Sequence, residues 1–117
     1  MDNPLKPFVI IFRQGARELT EAELKSRSEE TRAWAQVHNS AGHKLAPHIL
    51  APESYRSGPS PASRTDVITA LLFLAARNLD EAVAVAQVHP GVRYGASIEV
   101  RPWASPPAPP PAAPRSP

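Results

Sequence analysis

Val67-Ile68-Thr69-Ala70-Leu71-Leu72-Phe73-Leu74-Ala75-Ala76 decides the fold, because this run admits two readings. By propensity it continues as a helix into the residues that follow. By its unbroken apolar character it is a strand buried on both faces. The next residues arbitrate. Asn78-Leu79-Asp80-Glu81 has the form of a capping box, with Asp80 in the first turn where negative charge is favoured. A helix that begins at Asn78 requires the ten residues before it to be something else, so 67–76 reads as a strand. The helix then expects its buried stripe at Leu79, Ala82, Val83 and Ala86, and His89-Pro90-Gly91 stops it.

Upstream, Phe8-Val9-Ile10-Ile11-Phe12 is β-rich, apolar throughout and bounded by Pro7 and Gly15, a second strand buried on both faces. Thr20-Glu21-Ala22-Glu23 has capping-box form and opens a helix over 20–41 that ends at Gly42. Leu24, Thr31, Trp34, Ala35, His38 and Ala41 share one face of it, with Arg27 and the other charges assigned mostly elsewhere. His43 to Leu50 reads as a short strand that Pro47 restricts to an edge or interrupts. Residues 52–64, rich in Pro, Gly and Ser, are a loop. Downstream, Ser97-Ile98-Glu99-Val100-Arg101 alternates as a strand with Ile98 and Val100 on one side.

The resulting order is β-α-β-β-α-β, an α+β ferredoxin-like arrangement with two helices on one face of a four-stranded antiparallel sheet. The second face is also apolar, through Val9/Ile11 or Phe8/Ile10/Phe12 and alternate residues of 67–76. Each 400 Å² of such surface hidden is worth roughly 10 kcal/mol before association costs. Two copies pairing face to face, a homodimer, therefore follow, with Ile11 and Leu72 expected at the interface.

Composition bounds the rest. The folding unit is assigned to residues 1–103. Residues 104–117 are half proline, an extended tail. There is no cysteine, so neither a disulfide nor a thiolate site is possible. The net charge of +2 is dispersed with no basic block, which argues against a nucleic-acid partner. The apolar run near the N-terminus is too short for a secretory segment or membrane span, and a cytoplasmic location is expected.

Three segments in order carry a resemblance: Ala76-Arg77-Asn78-Leu79-Asp80-Glu81-Ala82-Val83, Val88-His89-Pro90-Gly91, and Tyr94 through Pro102 with its Glu99-Val100-Arg101-Pro102 ending. Together with the PFVIIFRQG start and a helix with a central Trp, they resemble the YCII-related group (YciI-like, DGPF-type) over roughly residues 5–103. The resemblance implies a dimeric α+β barrel. Two departures bear on activity. The Asp-Gly-Pro-Phe motif of many members corresponds here to Ser57-Gly58-Pro59-Ser60. The helix histidine of enzyme-like members falls at about Thr31, and no Asp lies between Gly42 and Arg64. A His–Asp proton-transfer pair thus has no counterpart, which weighs against catalysis.

The ligand-pocket candidates are Arg13, Trp34, His89, Glu99 and Arg101, and no catalytic set is assigned. Arg13, Glu99 and Arg101 sit on strands expected to be adjacent, where an Arg fork suits a carboxylate or phenolate; the alternative is an ordinary cross-strand ion pair. Trp34 is a core anchor or a ligand platform. His89 is a helix-stop residue, favoured there when protonated, or a pocket residue. His38, His43 and His48 lack the i,i+4 spacing of a helical metal site, so no metal or cofactor is assigned. Asp66 is a loop residue or a partner for a histidine, and Ser54, Ser57, Ser60 and Ser63 lack a nucleophile motif. Three functions remain: a small-molecule-binding barrel, an enzyme for small aromatic metabolites as some relatives are, and an interaction module using the Pro106-Pro107-Ala108-Pro109 match to P-x-x-P.

Overall fold

The computed structural model describes residues 4–15, 17–59 and 67–104. Asp66, Ser60, Ser63 and the P-x-x-P segment lie outside the described residues, as does the assigned tail beyond Ala104. The elements are β1 (Lys6–Arg13), α1 (Glu21–Ser40), β2 (Ala46–Ile49), β3 (Ile68–Ala76), α2 (Leu79–Gln87), a short 3₁₀ helix (Pro90–Tyr94) and β4 (Ser97–Pro102). The four strands form one antiparallel sheet in the order β2-β3-β1-β4, compatible with a ferredoxin-like fold. The decisive stretch is a strand. β1 and β3, the two continuously apolar segments, occupy the centre, and the Pro47-bearing strand lies at the edge as its missing N–H requires.

Local chemistry sets the helix boundaries. Thr20 Oγ1 accepts the Glu23 N–H at 3.1 Å and Glu23 Oε1 accepts the Thr20 N–H at 3.1 Å, a closed capping box. Gly42, at φ 95°, takes the left-handed position just past α1. Asn78 Oδ1 accepts the Glu81 N–H at 2.8 Å, but Glu81 turns to Arg77 instead of closing a second box, receiving its Nε–H at 2.7 Å. Gly15 is demanded by contact. A Cβ there would lie 2.2 Å from the Gly95 carbonyl oxygen, where the exit of β1 crosses the turn into β4.

The core lies between the sheet and the helices. Phe8, Ile10 and Phe12 of β1 join Leu72, Leu74 and Ala76 of β3, with Trp34 from α1 and Ala82, Val85 and Ala86 from α2. This corrects three expectations. Leu72 pairs with Ile10 and faces the helices, so Leu71 and Phe73, not Leu72, belong to the other face alongside Val9 and Ile11. On α2 the buried stripe contains Val85, whereas Leu79 and Val83 are exposed. Between α2 and β4 the chain makes the extra 3₁₀ turn, with His89 as its N-cap and Pro90 in its first turn.

The second sheet face is partly roofed by the chain itself. The Trp103 N–H donates to the Pro7 carbonyl at 3.0 Å, extending the β1–β4 ladder. Its indole packs edge-on against Phe73, with ring centroids 5.0 Å apart, and His48 closes on Phe73 from the β2 side at 5.6 Å. Val9, the β1 partner of Phe73, is buried, while Ile11, Leu71 and Phe73 stay half-buried.

Candidate functional site

A cleft of about 750 Å³ lies on the helix side of the sheet. Phe12 and Leu72 form its floor, Ile49 of β2 its edge, Leu24 and Arg27 of α1 its wall, and His89 its end. Ile49 and Leu24 are 81% and 42% exposed, so apolar surface lines the opening as well as the floor. The cleft opens where α1 stands off the sheet: Trp34 is the single buried side chain of that twenty-residue helix, with its neighbour Ala35 partly buried against the core.

His89 is the most tightly specified polar group of the site. Its Nδ1 accepts the Gly91 N–H at 2.9 Å, the capping bond of the 3₁₀ turn. Gly91 permits this closeness, since a Cβ there would meet Nδ1 at 3.0 Å. The ring is held between Phe12 and Trp34, with centroids 4.7 and 4.6 Å away. Burial in this aromatic slot pushes its pKa down to about 4, and the Arg27 charge adds to the effect. The imidazole is therefore neutral at neutral pH, so the favourable position of a protonated ring at a helix C-terminus does not come into play. With Nδ1 accepting, the ring proton resides on Nε2.

The five sequence candidates divide between the two sheet faces. Trp34 stands behind His89 and donates its Nε1–H to the Val85 carbonyl at 3.1 Å. Arg13, Glu99 and Arg101 form a charge row: Arg13 binds Glu99 at 2.8 Å, and Arg101 approaches it at 3.7 Å. Register places Glu99 opposite Ile11 and Arg101 opposite Val9, hence on the face turned away from the helices. Arg13 borders the cleft where β1 leaves the sheet, with its guanidinium committed to Glu99.

Arg27 and Thr31 were not singled out by sequence as pocket residues, yet both line the cleft. The signal was present. Leu24, Arg27, Thr31, Trp34 and His38 follow the 3-4-3-4 spacing of one helical stripe, so Arg27 is a cation on the sheet-facing side and not one of the solvent-facing charges.

The remaining histidines form no common site. His38 rests against Trp34 at 5.2 Å and lies 6.0 Å from the His43 ring; burial, then the nearby His43, lowers its pKa. His43 Nδ1 is 2.8 Å from the Ala75 carbonyl oxygen. His48 belongs to the other face, against Phe73. Among the described residues no group of three or more His, Cys, Asp or Glu side chains is arranged to hold a metal ion, and no helix is long and apolar enough to cross a membrane. No known protein family and no curated protein matches the chain.

Proposed function

We propose that the chain is a YCII-like dimeric α+β barrel protein that binds a small organic molecule without transforming it, using the helix-side cleft of each protomer. The observation that carries this reading is the cleft itself, whose volume and mixed lining fall in the range of small-molecule sites. The properties of His89 favour binding over catalysis. An imidazole with a pKa about 4 is a weak base at neutral pH, and its Nδ1 faces a backbone donor where a catalytic histidine has an orienting carboxylate. The dimer is supported by the half-buried Ile11, Leu71 and Phe73 on the sheet face opposite the helices, which a second copy would cover. A cytoplasmic location remains part of the same proposal.

One experiment addresses both halves. Protein-observed NMR with a panel of aromatic fragments should perturb Phe12, Leu24 and His89. Sedimentation should report a dimer that Phe73→Glu converts to a folded monomer, because the substitution places an uncompensated carboxylate in the interface. The fragment response should survive that substitution. Perturbations confined to the Phe73 face, or a monomeric wild type, would overturn the corresponding half.

A further inference from the structure

A cleft of this size is unselective by shape alone, but its polar groups are biased in one direction. Of its three arginines, Arg13 is held by Glu99 and Arg17 by Glu23, whereas Arg27 has no carboxylate partner among the described residues. Arg27 is half-buried on the wall that α1 presents to the sheet, and it lies near enough to His89 to influence its titration. A guanidinium partly withdrawn from water and unpaired is a standing demand for an anion. His89 reinforces the bias. Its acceptor nitrogen is occupied by the Gly91 N–H, so what the neutral ring has left to offer is a donor, Nε2–H. The hydroxyl of Tyr94 is engaged by Glu30, and Glu18, the acidic residue of the lining, is exposed. Facing these donors, Phe12, Leu24, Ile49 and Leu72 offer apolar surface for the rest of a ligand.

We infer that the cleft selects a monocarboxylate carried on a compact apolar body, with the carboxylate on the Arg27 guanidinium and the His89 Nε2–H as a second donor. This rests on the helix-side cleft being the binding site proposed for the chain.

Benzoate and its neutral isostere benzamide provide the test, titrated into the full chain and followed by amide and imidazole NMR shifts. Benzoate should bind about tenfold more tightly, the ratio one charge-assisted contact supplies. Arg27→Gln should bring that ratio to about one, since it removes the charge and keeps a helix-compatible side chain. Arg32→Gln, at an exposed arginine of the same helix outside the cleft lining, should leave the ratio unchanged. Equal affinity of the two probes for the wild type, or a preference that persists in Arg27→Gln, overturns the carboxylate selectivity while leaving the cleft as a binding site. If neither probe perturbs the cleft residues, both the selectivity and the cleft reading fall.

Discussion

Trp34→Ala is expected to lower folding stability by about 3–5 kcal/mol, the range for truncating a large buried aromatic. For a domain whose whole stability is of order 5–15 kcal/mol, that is a loss of about a fifth or more. The reason lies in how α1 is held. The helix has a closed N-terminal capping box and favourable acidic residues in its first turn, but caps alone leave a twenty-residue helix marginal in water. Its apolar Leu24 and Val37 are exposed, and Trp34 is its one buried side chain, with only the small Ala35 partly buried beside it against the core. The indole also satisfies the Val85 carbonyl and forms one wall of the His89 slot. Removing it should detach α1 from the sheet and open the cleft. Urea denaturation measures the stability loss, and amide exchange should show residues 21–40 losing protection ahead of β1 and β3. Trp34→Phe should recover most of the packing but forfeit about 1 kcal/mol for the unpaired carbonyl. An unchanged urea midpoint for Trp34→Ala would mean that α1 is held by something other than its one buried side chain.

Stability is also expected to decline on acidification from about pH 6.5 to about pH 4, by as much as about 3 kcal/mol on account of His89. The folded ring has its pKa lowered from 6.5 to about 4, chiefly by burial and then by Arg27. Between those values the unfolded chain binds a proton that the folded chain refuses. Protons therefore pull the equilibrium towards unfolding across that window, with no further contribution from His89 below it. His38 shifts in the same direction, so its contribution has the same sign. Glu30 and Glu81, held below the usual carboxylate range by Tyr94 and Arg77 respectively, lose their stabilising interactions only as pH falls further. Urea titrations at pH 7, 5.5 and 4.5 measure the slope. His89→Phe keeps an aromatic ring in the slot and removes the titrating group, so its slope should flatten to what His38 leaves. An equal slope in His89→Phe and wild type would place the acid sensitivity elsewhere.

Much of the fold was legible because boundaries are written in side chains that bond the backbone. Asn78 marked where β3 had to end, Thr20 and Glu23 opened α1, and Pro47 assigned β2 to an edge. What could not be read was phase. Along 67–76 every residue from Ala70 to Ala76 is apolar, so no alternation tells Leu71 from Leu72, and a one-residue choice reverses which of them meets the helices. Ala82-Val83-Ala84-Val85-Ala86 carries the same ambiguity around a helix, hence Val85 inside where Val83 was expected. For the site, His89 was recognised as a pocket alternative, but its charge state depends on Phe12 and Trp34 closing on it from distant parts of the chain. The Arg13–Glu99 pairing followed from strand adjacency; the position of Glu99 and Arg101 on the face away from His89 depended on the same unread phase.

The placement of Trp103 against Phe73 gives the molecule two optical reporters that do not overlap in meaning. The chain has only two tryptophans, and the sheet separates them. Trp34 emits from an enclosed site beside two imidazoles, whereas Trp103 is half open to solvent on the face proposed above for a second copy. A change in emission colour or quenching assigned with single-tryptophan variants therefore distinguishes loosening of the helical layer from association of subunits, with no label added.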